Sequence, residues 1–251
     1  MKKLVEILSQ FEVNRRRLNE NERTEESIAK CFEPCAKEIL SKGYFLINNS
    51  IIIDIGSIEL YYHEEKGKIK DYIMYHTNDK GSHSIFSKDT GKFPYYKIGA
   101  FNFHQSGIDV TFEKEGEYRA SFLIRSYRVL HAVDELYKES VYDAHSTHIY
   151  DDMFPYGLSF DKENCTKIEW VECEEKDHIE PERKTRLNVA EFEVIGEYKD
   201  HRPKTQKRKV DISEEFYNQH KDEYIKENKT LYYKQDMRRW RFRRNGIEEI
   251  N

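Results

Sequence analysis

The chain has few of the residues that break or cross-link a fold. Its 251 residues include 5 Pro, 11 Gly and 4 Cys, which excludes a collagen-like repeat, a Pro/Gly-rich linker and a disulfide-rich scaffold. No stretch approaches the roughly 20 consecutive apolar residues of a membrane-spanning helix. Glu6 interrupts the apolar start before the core of a signal peptide could form. We therefore expect a cytoplasmic protein without a membrane partner.

The sequence also has no recognised metal or cofactor motif. Its cysteines form no Cys-x-x-Cys pair, so reduced thiols are expected. His145 and His148 precede Asp151 and Asp152, but this spacing fits no fixed ligand set. The same holds for the loop histidines near residue 80. Since Gly-rich phosphate loops are also missing, we predict no bound metal and no cofactor.

Aromatic residues are abundant at 14% of the chain, with 18 Tyr and 14 Phe, which is enough to build a core and argues against disorder. Hydrophobic periodicity predicts an α+β fold with a mixed or antiparallel sheet in a single domain, 1–251. Residues 1–23 are interpreted as an N-terminal helical arm and 140–185 as an irregular acidic insertion. The predicted helices are 3–19, 24–42 and 211–229, and the main strands are 44–48, 50–62, 100–104, 108–113, 119–129 and 192–198.

Positive charge is concentrated late in the chain. The net charge is −5, yet residues 202–244 hold 14 Lys and Arg against 7 Asp and Glu. In the segment 238–244, Trp240 and Phe242 alternate with arginines. Such a pattern suits a phosphate backbone with stacked bases. It equally suits an ordinary strand whose arginines face solvent, so both interpretations stay open.

The segment 50–62 is the most informative local pattern. At strand periodicity Ile53, Ile55, Glu59 and Tyr61 share one face, so an apolar face would end in a carboxylate beside a phenol. Partial burial raises the pKa of a carboxyl group toward the range of a general base. The alternative is a structural glutamate paired with Lys or Arg.

Arg125 lies in an otherwise apolar strand. A buried arginine requires a carboxylate or a phosphate. Glu59 and Asp109 are the internal candidates for its partner, and a ligand phosphate is the external one.

Several short motifs occur in an order that resembles the alkyladenine (3-methyladenine) DNA glycosylase superfamily, over about residues 35–245. They are Ala36–Lys42, Ile58-Glu-Leu-Tyr61, Asp71–His76, Gly99–Gly107, Leu123-Ile-Arg125, Thr185–Val189 and Trp240-Arg-Phe242. The resemblance implies the curved sheet of that family with flanking helices. It also implies a base-excision hydrolase that flips a modified base out of the stack.

The resemblance implies a role for each matching residue. Glu59 would activate water. The base pocket would be formed by Tyr61, His76 and Phe103; phosphate or pocket support would come from Arg125, Arg186, Arg241 and Arg243. The partner would be nucleic acid, either DNA, including single-stranded DNA, or RNA.

The chain departs from the family pattern at three places. Ser106 stands where the family inserts a Tyr into the duplex, Asn188 replaces a Gly, and 81–97 lacks an Arg-Asn element. Without the wedge, duplex flipping should be poor, which favours single strands, RNA, free nucleosides or a loss of activity. A non-catalytic nucleic-acid-binding relative of the fold is the alternative function.

Overall fold

The structure is a computed structural model. It describes residues 1–71, 74, 94–138, 141–155, 157–161, 164–174, 176, 180–187 and 237–250, together with the backbone of 190–195, 205–209 and 230–235. The predictions for His76, for Asn188, for the helix 211–229 and for most of 81–97 lie outside these residues.

Two helices precede the first strand. Helix α1 spans Lys2–Arg16 and α2 spans Glu25–Ser41, so both predicted helices are confirmed, with slightly earlier ends. Thr24 caps α2 because its hydroxyl accepts the Ser27 N–H and the Ser27 side chain accepts the Thr24 N–H. Pro34 lies inside α2 without ending it, since buried residues on both sides of it hold this face against the sheet.

The described strands form two sheets. Ten of them form the main sheet: β1 Gly43–Ile47, β2 Ile51–Glu64, β3 Phe101–His104, β4 Gly107–Thr111, β5 Tyr118–Leu130, β6 Val141–Asp143, β7 Ile168–Glu172, β8 Glu182–Lys184, β12 Arg241–Arg243 and β13 Glu248–Ile250. A second, three-stranded sheet contains β9 Ala190–Ile195, β10 Thr205–Lys209 and β11 Thr230–Gln235. A 3-10 helix, Val133–Tyr137, and a short helix α3, Ile149–Met153, complete the described elements.

The main sheet is curled and mostly antiparallel, which confirms the α+β prediction. Strand β2 is its longest member and pairs with β5 along one edge. Along the other edge β2 pairs first with β1 and then with β12. Only one of the pairs between described strands, β13 with β6, is parallel. The turn between β1 and β2 has positive φ at Asn48 and Asn49, as a tight hairpin requires.

Bulges in β2 and β5 exchange the two faces of these strands. The β2–β5 register shifts between Ile55 and Ile58. As a result Ile53 and Ile55 before the shift, and Ile58 after it, all point into one hydrophobic core. Alternation therefore fails here, because a bulge adds a residue to one strand and reverses its inside–outside pattern. Gly56 fits the bulge because a Cβ there would lie 2.5 Å from the Tyr142 ring.

The core lies between this face of the sheet and the two helices. Leu4, Leu8 and Phe11 of α1 are buried at helical spacing, and α2 adds Phe32. The Phe11 ring packs edge-on against Phe112 at 5.1 Å, an arrangement that the quadrupoles of aromatic rings favour.

The prediction that 140–185 is irregular is wrong for the short strands that this segment contains. The segment contributes β6, β7 and β8 to the main sheet, and β7 pairs with β1 along five residues. The strands were missed because each has only three to five residues, too few for a periodic pattern.

Within the described residues, no helix is long and apolar enough to cross a membrane.

Candidate active site

The face of β2 opposite the helices carries buried carboxylates. Asp54 is fully buried and surrounded by cations: Lys176 Nζ at 2.5 Å, Arg128 Nε at 2.9 Å and Arg244 Nη1 at 3.1 Å. Tyr142 also donates to Asp54, at 2.8 Å. Burial alone would raise the pKa of Asp54, but these positive charges outweigh it and hold the pKa below its usual value.

Asp71 is the second paired carboxylate of this region. Arg186 donates to both of its oxygens, at 2.7 and 3.3 Å, and Arg238 donates at 3.3 Å. The two guanidinium groups overcome the effect of burial and hold the pKa of Asp71 low. Arg186 is itself buried, and its guanidinium lies 4.7 Å from the centre of the Tyr61 ring. The predicted role of Arg186 in supporting a pocket is compatible with this position. Its buried guanidinium, however, contacts Asp71 rather than a phosphate-binding surface.

Glu249 is the third paired carboxylate. It accepts hydrogen bonds from Ser57 at 2.6 Å and Ser126 at 2.5 Å. Arg241 also donates to Glu249, and Arg243 Nε does so at 3.0 Å. Despite burial, these contacts lower the pKa of Glu249.

These contacts correct the interpretation of the basic segment 238–244. The predicted alternation is right, because Trp240 and Phe242 are buried in the core. The arginine face, however, is only partly solvated. Arg239 is exposed, whereas Arg241 and Arg243 turn toward Glu249 rather than toward a phosphate-binding surface. The sequence shows the charges but not their partners, which come from other strands.

Glu59 differs from these three carboxylates. It is completely buried, and its Oε1 accepts the Leu187 N–H at 2.7 Å. Tyr61 donates to Oε2 at 3.3 Å, a long hydrogen bond. Its described ion-pair partner, Arg125 Nε, is 3.8 Å away. Burial therefore dominates over Arg125, Leu187 and more distant arginines, and it raises the pKa of Glu59.

The predicted neighbourhood of Glu59 is only partly right. Tyr61 and Arg125 lie beside it as expected. The prediction that Glu59 shares the apolar face of Ile53 and Ile55 is wrong, because the bulge puts it on the opposite face. Glu59 is thus buried on a polar face, beneath the apolar contacts of Tyr61, Met74 and Leu123.

Arg125 connects Glu59 to a neighbouring loop. Of the two internal partners proposed from the sequence, Glu59 is the one that Arg125 faces. Its Nη1 donates to Ser146 Oγ at 3.3 Å, and Ser146 in turn donates to the Ser106 carbonyl at 2.7 Å. The Arg125 side chain keeps 12% exposure, whereas Glu59 has none. Its Nε has no hydrogen-bond acceptor in the described part of the chain.

Asp109 and His104 form a pair that the sequence analysis did not assign to the site. Asp109 lies opposite Leu123, which lies opposite Glu59, so the two acidic residues share a face about 10 Å apart along the strand-to-strand direction. His104 Nε2 is 3.1 Å from Asp109 Oδ1, and Ser121 donates to Oδ2 at 3.1 Å. The feature of the sequence that could have indicated this pair is an acidic residue, Asp109, between the apolar residues Ile108 and Val110.

The prediction that Phe103 lines the base pocket is wrong. Phe103 pairs with Ile108, a member of the helix-side core, so both point away from the face of Glu59. Its ring, 42% exposed, packs near Tyr150 and Phe154. Adjacent residues of a strand face opposite sides of the sheet. His104 contacts Asp109 on the face of Glu59, so its neighbour Phe103 must lie on the other face.

The Glu59 centre thus contains the types of group that general acid–base catalysis uses. It combines a carboxylate of raised pKa, a phenol and a guanidinium with a partly exposed edge. Comparison of the chain with known protein families, with curated protein sequences and with solved structures gives no match.

Proposed function

We propose that the protein is a hydrolase that cleaves the N-glycosidic bond of a modified or extruded base, with Glu59 as the general base that activates water. The observation that carries this proposal is the contrast between Glu59 and three carboxylates that are paired with cations. Asp54, Asp71 and Glu249 each have a cationic nitrogen within 3.0 Å and a lowered pKa. Within the described part of the chain Glu59 has no cation so close, and its pKa is raised.

A raised pKa suits a base that must take a proton near neutral pH, because proton transfer is most efficient when the pKa of the base is close to the working pH. A structural ion pair would instead favour the ionised form and remove its basicity. Glu59 therefore has the electrostatic setting of a reactive group, and the three paired carboxylates have that of structural groups.

One such carboxylate is enough for this reaction. Glycosidases that break sugar–sugar bonds use two carboxyl groups, because the leaving alkoxide needs an acid. An alkylated or deaminated base leaves more easily, so an activated water can suffice. Arg125, 3.8 Å from Glu59, would stabilise the ionised carboxylate or the departing base. Tyr61 would contact the extruded base.

The geometry favours a single-stranded or small substrate over a duplex. Ser106 stands at the position of the family's wedge. The arginines of the segment 238–244 that are buried, Arg238, Arg241 and Arg244, contact carboxylates of the chain itself. The same contacts weaken one support of the alternative, a non-catalytic nucleic-acid-binding relative, which rests on the basic C-terminal region and on the missing wedge.

The test is release of hypoxanthine, ethenoadenine or 3-methyladenine from single- and double-stranded oligonucleotides and from nucleosides. We expect Glu59→Gln to lower the rate at least about 100-fold, the usual minimum contribution of a general base. Asp134→Asn, at an exposed acidic residue, is the matched control and should keep full activity. Release that persists in Glu59→Gln, or is absent in the folded wild type for every substrate, would refute the proposal.

The same variant separates catalysis from folding. Because burial raises the pKa of Glu59, its ionised form destabilises the fold at neutral pH. A glutamine keeps an acceptor for the Leu187 N–H without this charge. We therefore expect Glu59→Gln to be at least as stable as the wild type in urea at pH 7, so that loss of activity cannot be ascribed to unfolding.

A further inference from the structure

Three potential metal ligands meet on the loop between β6 and α3. They are Asp143, His145 and His148, and their ligand atoms all lie within 4.8 Å of one another. His148 Nδ1 is 2.8 Å from Asp143 Oδ2, and His145 Nδ1 is 3.6 Å from Asp143 Oδ1. The two imidazole rings are stacked, with centroids 4.7 Å apart.

These separations are near those of a transition-metal site. Ligand atoms about 2.0–2.1 Å from a tetrahedral zinc ion are about 3.4 Å apart. The separation between His145 and Asp143 is close to this value, whereas His148 and Asp143 are at hydrogen-bond distance and must move apart by about 0.6 Å to bind an ion. Two imidazoles and one carboxylate are also the ligand types that Zn²⁺ and Co²⁺ accept. In the sequence the same histidines precede Asp151 and Asp152, but in the structure the acidic residue beside them is Asp143.

The backbone holds the three residues in this arrangement. Asp143 is the last residue of β6, and Ala144 N–H donates to the Ile250 carbonyl of β13 at 2.8 Å. The His145 N–H donates to Asp143 Oδ1 at 2.7 Å, and the His148 N–H to the His145 carbonyl at 3.0 Å. The turn therefore brings both imidazoles back over the carboxylate.

The same loop reaches the Glu59 centre. Ser146, between the two histidines, accepts a hydrogen bond from Arg125 and donates one to the Ser106 carbonyl. Unlike its histidine neighbours, Ser146 is buried. A ligand that orders this loop would thus also order the contact with Arg125.

We propose that Asp143, His145 and His148 bind one divalent transition-metal ion and that this ion is Zn²⁺. The bound ion would hold the Ser146 loop in contact with Arg125. Three protein ligands at a surface turn leave the remaining coordination positions to water. The proposal does not depend on the glycosidic activity, because the ligands lie outside the Glu59 centre.

The test is titration of the metal-free full chain with Zn²⁺ by calorimetry, and with Co²⁺ by visible absorption. We expect one equivalent to bind and the melting temperature to rise, as mass action requires for a ligand of the folded state. His145→Ala and His148→Ala should each weaken binding at least tenfold and abolish the thermal shift. His131→Ala removes another exposed histidine and should change neither.

Folding of the variants is not at risk, since the side chains of His145 and His148 are 48% and 56% exposed. Circular dichroism verifies this directly. The proposal is overturned if the wild type binds no stoichiometric metal. Equal binding by wild type and both histidine variants would overturn it as well, because the ion would then be held elsewhere.

Discussion

Asp54 offers the sharpest test of how the sheet is held together. Replacing it with Asn leaves three buried cations, those of Lys176, Arg128 and Arg244, around a neutral amide. Breaking a buried ion pair by removing one partner costs about 3–5 kcal/mol, because the remaining charge stays desolvated. The cost of leaving a charge unpaired should be large at Lys176, because burial lowers the pKa of Lys176 even with Asp54 present. We expect Asp54→Asn to lose at least about 3 kcal/mol of unfolding free energy at pH 7.

The loss of unfolding free energy in Asp54→Asn should be larger at neutral pH than at acid pH. The folded-state pKa of Asp54 is lowered, so its stabilising effect is complete above the unfolded-state pKa of about 3.9. That effect is lost as pH falls through the folded value. Urea denaturation of wild type and variant between pH 7 and the acid limit of folding measures the difference, which should shrink below about pH 4.

Two controls make this experiment decisive. Asp134→Asn changes an exposed carboxylate and should alter stability by less than about 0.5 kcal/mol. Adding Lys176→Met to Asp54→Asn should recover part of the loss, because one of the unpaired cations is then gone. A loss below about 1 kcal/mol, or one that is the same at every pH, would refute the electrostatic reasoning.

Three further predictions concern the candidate site and its support. Base release should rise with pH along an acid limb above the usual glutamate range, because only ionised Glu59 accepts a proton and burial raises its pKa; a limb at about pH 4.3 in the pH–rate profile would argue against Glu59 as the base. Gly56→Ala should cost about 1–3 kcal/mol in urea denaturation, since its Cβ would press on the Tyr142 ring, and unchanged stability would mean that the bulge tolerates a side chain. Thr24→Ala should cost about 1 kcal/mol, because the Ser27 N–H loses its acceptor; an unchanged midpoint would show that the cap adds nothing.

The elements themselves were predictable because they follow from local periodicity. Helices α1 and α2 repeat apolar residues every three to four positions, and β2 and β5 are long enough to alternate visibly. The predicted strand bounds, 44–48 and 50–62, also placed the turn between β1 and β2 correctly. These features depend on residues that are close together in the chain.

The faces of the sheet were not predictable in the same way. Alternation along β2 assigns Glu59 to the side of Ile53, and one bulge reverses that assignment. In the sequence Gly56 indicates where the bulge lies, but a glycine in a strand can equally mark a tight bend or the close approach of another backbone. The correct face follows only from the pairing with β5.

The partners of the basic segment were hidden for a similar reason. Arg238 and Arg244 pair with Asp71 and Asp54, residues 167 and 190 positions earlier. Charge counting along the sequence therefore indicated a free cationic surface. In the fold the same charges are counter-ions for buried acids.

This separation along the chain sets a time scale for biosynthesis. At about 5–20 residues per second, a ribosome needs about 10–40 s to pass from Asp71 to Arg238 or from Asp54 to Arg244. During that interval the nascent sheet cannot bury either carboxylate with its full set of counter-ions. The polar side of the sheet is therefore completed only after these arginines have emerged. A product that stops before residue 238 would leave β2 without its β12 neighbour, open to proteases or to pairing with another chain.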